Sequence, residues 1–410
     1  MLLGLWGSRF GVAATPAARG VRRGRKMGAM HARRTSLITH TRMRWASVVL
    51  AAGMVVLTAC GSSEPSTPTN VATVTPATPS SAPAGAAVDP AGTVIAAPAG
   101  AGGTQLALSG EWLGVVSAAG AKSVRLINRT DLQAPQQMVA VGADLTALIG
   151  VGDGDFVGVG PKTIVRFTAT GDHAVTTTAL TAAQPTSVAR TADGRTVVGT
   201  VDGHVLVLDQ NLKQIKDFAA FVRVDEITVS PVGADLPAEQ VIVLDRAQSS
   251  VTPINLSDGT LGAALRAGNG ATNSTVDRYG RILVANTRDN EIVGFFGTPL
   301  VMRFRFPVAD GPYAVDYDDK DDLLWVSTTG NNEVVAFDLA SGEPIEKARF
   351  DSVAQPDSIV VDDSDGTVYV LSTRTGEVQV VTVAQRAASG DERTASASAE
   401  PTTSTTQAAP

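Results

Sequence analysis

GPYAVDYDDKDDLLWVSTTGNNEVVAFDLASGE, residues Gly311 to Glu343, decides the fold. It holds three short apolar runs, Ala314–Tyr317, Leu323–Ser327 and Val334–Asp338. An acidic turn separates the first two, and Gly330-Asn331-Asn332 separates the second and third. Runs this short, rich in Val, Leu, Trp and Phe and bounded by Asp, Gly and Asn, read as the strands of an antiparallel meander.

The unit recurs on both sides. Gln355 opens QPDSIVVDDSDGTVYVLSTRTGEVQVVTV downstream, while Gly270 opens GATNSTVDRYGRILVANTRDNEIVGFFG and Gln184 opens QPTSVARTADGRTVVGTVDGHVLVLD upstream. Counted along the chain, copies open near Thr104, Ala143, Gln184, Val224, Gly270, Gly311 and Gln355, a spacing of roughly 40 to 46 residues. That is the period of a four-stranded propeller blade. The copies at Thr104, Ala143 and Val224 are degenerate, and the Val224 copy carries an insertion, GADLPAEQ, between its first two strands. The last copy supplies only three strands, Ile359–Val361, Val368–Leu371 and Val378–Val383. An open ring leaves strand edges unpaired, and Thr93-Val94-Ile95-Ala96, stranded ahead of the first copy, is the natural fourth strand. The prediction is an all-β, seven-bladed β-propeller of four-stranded antiparallel blades over residues 93–386, its last blade closed by an N-terminal strand.

The repeat consensus runs Pro, small, apolar–x–apolar, Asp-x-x-Gly, apolar-Tyr/Trp-Val, small, Asn/Gly, Val-x-Val-Phe/Leu-Asp. In GPYAVDYDDKDDLLWVSTTGNNEVVAFDLASGE and QPDSIVVDDSDGTVYVLSTRTGEVQVV it resembles YncE-type and NHL-type bacterial propellers. The resemblance spans about Thr93 to Val383 and implies a fold but no activity.

Outside the repeats, composition changes. Residues 1–59 contain ten Lys plus Arg and no Asp or Glu, and a basic stretch ending at Arg44 meets the apolar segment WASVVLAAGMVVLTAC, Trp45 to Cys60. The apolar part is too short for a comfortable membrane span of about 20 residues; basic region, short apolar region and small residues together read as a secretory signal. Leu57-Thr58-Ala59-Cys60 resembles the lipobox of bacterial prelipoproteins, which implies lipidation of Cys60 as the first mature residue. Joined to the propeller, the chain looks like the propeller lipoproteins of actinobacteria, anchored on the extracytoplasmic face of the cell membrane. Cys60 is the single cysteine, so no disulfide framework competes for it. Residues 60–92 and 387–410 are rich in Pro, Ser, Thr and Ala and read as a disordered tether and tail. Without the leader the chain keeps 23 basic against 40 acidic residues, a net charge near −17. That balance argues against nucleic acid and against electrostatic docking on anionic lipid, so attachment rests on the lipid. A propeller is self-contained, so a monomer is the expectation.

Propeller ligands sit at the central channel, near the starts of the innermost strands. The repeats place Thr186-Ser187, Asp225-Glu226, Thr272-Asn273, Tyr313-Ala314 and Asp357-Ser358 there, with Gln105 and Asp144 from the first two copies. Asp225, Glu226, Asn273 and Asp357 are oxygen donors of the type that bind Ca²⁺, and gluconolactonase-type propellers resemble this arrangement. The competing reading is that these residues cap strands and line a wet channel. Other features read as structure. His173 and His204 fall in turn contexts, no His/Cys cluster suits zinc, and GxSxG is absent. Asp318 to Asp322 reads as a solvated acidic turn. Trp112 and Trp325 read as equivalent core positions between blades, and Phe295, Phe296, Phe304 and Phe306 as core.

Three functions remain open. The first is a non-catalytic platform, without cofactor, binding an unknown protein or cell-envelope component. The second is a divalent-metal-dependent lactonase-like hydrolase using Glu226, Asn273 and Asp357, with Ca²⁺ as its ion. The third is a quinone-dependent redox propeller, for which a stacking Trp and an adjacent disulfide are not identifiable.

Overall fold

Among the described residues twenty-eight strands form seven separate four-stranded sheets, each antiparallel throughout. The computed structural model describes residues 75–181, 184–236 and 240–387. The leader, the lipobox from Leu57 to Cys60 and the tail beyond residue 387 lie outside these. Among the described residues no helix is long and apolar enough to cross a membrane.

In blades one to six the strands follow one another in space as they do in sequence. The innermost strands are Gly103–Ser109, Ala147–Gly152, Pro185–Arg190, Glu226–Val229, Ala271–Val276, Pro312–Asp318 and Pro356–Val361, close to the predicted openings. They touch in cyclic order, the seventh against the first, so the sheets form a ring. Blade seven is completed as predicted: Thr93–Ile95 pairs antiparallel with Val378–Val381, Thr93 facing Val380 and Ile95 facing Val378. Gln379, fully buried, adds a clamp by donating to Ala91 O at 2.7 Å and to Asp351 O at 2.9 Å. Chain closure therefore joins residues nearly 290 apart and covers the edge of Val378–Val381.

The core is not one mass but seven slabs, each between consecutive blades. This follows from the strands. Each central strand is buried on both faces, as in Ile282–Asn286 and Val368–Ser372, so it reads as a continuous apolar run rather than an alternating one. Fourth strands alternate instead: Gln214–Ala219 exposes every second side chain, as does Val301–Pro307 from Arg303 onward.

Two expectations change. Trp112 starts the second strand of blade one, whereas Trp325 is the third residue of the second strand of blade six. They lie on the same sheet face but two residues apart. Trp325 is fully buried against Phe350 while Trp112 sits at the slab margin. The position matching Trp325 is Gly114, where an added Cβ would meet Phe156 at 3.0 Å, so the neighbouring blade supplies the bulk that Trp325 supplies itself. The acidic turn is solvated only at its tip, where Lys320 and Asp321 are exposed. Asp318 is fully buried and accepts from Lys320 N and Asp321 N, Asp322 pairs with Arg278, and Asp321 pairs with Arg386 at 3.0 Å. Phe295 is buried in the slab between blades four and five, with Phe304 and Phe306 packed in the next.

Candidate functional site

All seven first strands begin on one face of the ring, around a central cavity of about 460 Å³. Five of them, in blades one, three, five, six and seven, carry a bulge or irregularity within their first residues, as between Ala271 and Asn273. A bulge turns an extra side chain out of the pleat; here it crowds polar side chains onto the channel wall. The lining is accordingly polar, with Thr104, Thr186, Thr272, Asn273 and Asp357 beside the carboxylates Asp225, Glu226 and Asp316.

These side chains have partners, and the partners form a pattern. Each first strand presents its channel-side edge to the ring axis, where no further strand can pair with it. Its backbone groups must be satisfied by side chains or water. Gln105 Oε1 of blade one accepts from Leu148 N of blade two at 2.8 Å. Thr146 Oγ1 donates to Pro185 O of blade three at 2.7 Å, and Thr186 Oγ1 to Val224 O ahead of blade four. Glu226 Oε2 accepts from Ser274 N and, at 2.9 Å, from Ser274 Oγ in blade five. Asn273 Nδ2 donates to Tyr313 O of blade six at 2.8 Å. Asp316 Oδ2 accepts from Val361 N of blade seven at 2.8 Å, and Ser358 Oγ accepts from Leu106 N of blade one at 3.0 Å. At least one side-chain-to-backbone link thus crosses every blade interface, and these seven close a girdle around the channel.

The predicted site residues fall on this wall. Glu226 and Asn273 belong to the girdle. Asp225 holds Arg223 at 2.5 Å and accepts from Arg246 N at 2.8 Å. Asp357 accepts from Thr373 Oγ1 at 2.7 Å and Gln355 Nε2 at 2.9 Å. All four line one cavity, but each spends oxygen or nitrogen on its surroundings. Among the described residues no three His, Cys, Asp or Glu side chains gather as a metal-binding group. Asp144, placed at the channel by the repeat count, instead accepts from Gly120 N and Lys122 N, and Thr146 supplies the link of blade two. Sequence reasoning did not single out Thr146, Asp316 or Arg246. Asp316 was legible only as the alternate polar residue of the run Ala314–Tyr317.

Burial dominates the electrostatics. Desolvation raises Glu226 from 4.5 to about 7, against the Ser274 hydrogen bonds and the Arg246 charge. It raises Asp316 from 3.8 to about 7, against hydrogen bonds from Val361 N and Tyr317 N. Asp357 moves the same way for the same reason. The channel therefore holds carboxyls that keep their protons towards neutral pH. Arg246 brings the guanidinium: it stacks on Tyr313, 5.9 Å from the ring centroid, and donates to Ser80 O at 2.5 Å. The two described histidines lie elsewhere. His173 occupies a turn of positive φ beyond the third strand of blade two, and His204 pairs at the surface with Asp217.

No protein-family model matches the sequence, and no curated protein matches it. Solved structures do. A virginiamycin B lyase from Staphylococcus aureus is similar over 71% of this chain and 98% of its own, at 13% identity and a TM-score of 0.58. Hydrazine synthase from Kuenenia stuttgartiensis is similar over 69% and 96%, at 13% identity and a TM-score of 0.58. A functionally unknown protein from Desulfotomaculum acetoxidans is similar over 68% and 94%, at 15% identity and a TM-score of 0.58. At these identities the likeness carries the propeller fold alone.

Proposed function

We propose that this chain is a lipoprotein, anchored through Cys60 on the extracytoplasmic face of the membrane, whose propeller binds a protein or cell-envelope component without transforming it. The observation that carries the non-catalytic part is the girdle. Side chains that a hydrolase would need free, Glu226 and Asn273 above all, are committed to holding neighbouring blades together. The likeness to virginiamycin B lyase adds no catalyst. A variant of that enzyme with one histidine replaced by alanine is described as catalytically inactive, whereas His173 and His204 lie away from this channel. The anchor rests on the Leu57–Cys60 motif.

The test is a calcium and zinc titration of the full chain by calorimetry, beside Asn273→Ala and Asp357→Ala. The binding-platform reading expects no saturable uptake. Saturable uptake abolished in both variants would return the lactonase-like reading and overturn this one. The anchor is tested separately. Cys60→Ala should move the protein from the membrane fraction to the soluble fraction, and unchanged partitioning would remove the lipid from the account.

A further inference from the structure

The segment predicted as free tether is docked where it can be described. Residues 75–90 form no helix, strand or turn, yet they touch the ring at every third residue. Ala77 N donates to Ala247 O at 2.9 Å. Ser80 O accepts from Arg246 at 2.5 Å, Pro83 O from Gln355 at 3.1 Å and Ala86 O from Asn332 at 2.5 Å. A period of three is the polyproline II repeat, and Pro76, Pro79 and Pro83 favour that conformation before docking.

The platform is periodic as well. Gly270, Gly311 and Gln355 each immediately precede the first strand of blades five, six and seven. A Cβ on Gly270 would lie 2.6 Å from Ser80 Oγ, and one on Gly311 would lie 2.6 Å from Pro83 Cγ. The peptide thus lies in a furrow that glycine leaves open at blades five and six, and Gln355 reaches it from blade seven. Its partners read carbonyl oxygens rather than side-chain chemistry. Between Thr75 and Val88 the peptide carries no charge. The fit is also imperfect, because Ser80 Oγ and Arg246 Nε are buried without partners, and such groups carry a desolvation cost.

We infer that the channel-mouth face of blades four to seven is a recognition furrow for uncharged, extended, proline-containing peptides, occupied here in cis by residues 77–86. A segment of another chain with the same chemistry, able to satisfy Arg246 fully, displaces it. This inference does not depend on what the channel holds or on the lipid.

The experiment uses the full chain and a labelled synthetic peptide, TPATPSSAPAGAAV, which copies Thr75–Val88. The cis segment competes at an effective concentration in the millimolar range, so the unaltered protein should bind the peptide weakly. Pro79→Gly with Pro83→Gly loosens the cis segment and should tighten peptide binding at least tenfold. Adding Arg246→Ala should reverse that gain while the melting curve shows a folded protein; so should a second route, Gln355→Ala with Arg288→Ala, which removes the donor that reaches Thr78 O at 3.4 Å. A peptide with its prolines replaced by glycine should bind at least tenfold more weakly. Absence of saturable binding to the loosened protein, binding indifferent to both platform variants, or equal binding of the glycine peptide would each overturn the inference.

Discussion

Glu226→Gln should leave stability unchanged in acid and raise it near neutral pH, the reverse of what losing a buried ion pair would do. Both Ser274 donors fall on one oxygen, Oε2, so the amide keeps an acceptor there and loses only the titration. The carboxyl sits at about 7 in the folded protein against 4.5 ordinarily. Below 4.5 it is protonated folded and unfolded alike and contributes no pH-dependent penalty. Between 4.5 and about 7 the unfolded chain releases the proton and the folded one retains it, so stability falls as pH rises, and it levels off above. At 1.36 kcal/mol per pH unit the ceiling is about 3 kcal/mol. Glu226 lines the cavity and is only half-buried, and a higher effective dielectric there brings the figure to ~2 kcal/mol. For about 290 ordered residues the unfolding entropy is roughly 0.6 kcal/mol per kelvin, so ~2 kcal/mol is about 3 °C. The assay is the melting temperature of variant and unaltered protein by circular dichroism at about pH 4.5 and pH 8. Other carboxylates titrate in both proteins and cancel in the difference. A difference equal at the two pH values, or a variant less stable at pH 8, would refute the girdle account of Glu226.

Four further outcomes follow from packing, closure and surface pairing. Trp325→Ala should cost about 3–5 kcal/mol, because the ring is fully buried against Phe350 and Gly114-like relief from the neighbouring blade is absent there; an unchanged urea midpoint would contradict the burial. Removing residues 1–95 strips the Thr93–Ile95 strand from Val378–Val381, and the exposed edge should lower the melting temperature and promote association detectable by light scattering. Arg125→Ala should be among the more damaging single changes, at ~3 kcal/mol or more. That guanidinium is buried, its pKa is lowered to about 10 by desolvation, and it donates to Gly376 O across the blade seven–one interface at 2.5 Å. Urea denaturation decides it. By contrast His204→Ala, breaking a half-exposed pair with Asp217, should shift stability by no more than about 1 kcal/mol in the same assay.

The blades were legible because their signals are local. A strand of five residues flanked by Asp, Gly or Asn is written within a dozen positions, and Leu323–Thr328 and Val368–Ser372 fall where the apolar runs fall. Closure was legible too, since Thr93–Ile95 had no copy to belong to. The girdle was not legible. Its donors and acceptors are separated by 38 to 48 residues along most of the ring, and by 252 at its closing link. Its residue types also change at every blade, from Gln105 through Thr146 and Glu226 to Ser358. Asp144 was misplaced for the same reason: in a degenerate copy, counting from turns drifts by a few positions, and alternation along a strand leaves no room for that error.

The order and number of strands, the turns between them and the strand left over for closure were determined by the chain's own pattern of apolar runs and turn residues. Which polar side chains serve a neighbouring blade was decided only in the tertiary structure. Strand edges facing the ring axis have no strand to pair with, and the residue that satisfies them is chosen by proximity around the ring. The same holds for residues 77–86. Composition without apolar residues to bury described their extended conformation, but not that carbonyls spaced by three would meet Arg246 of blade four, Gln355 ahead of blade seven and Asn332 of blade six.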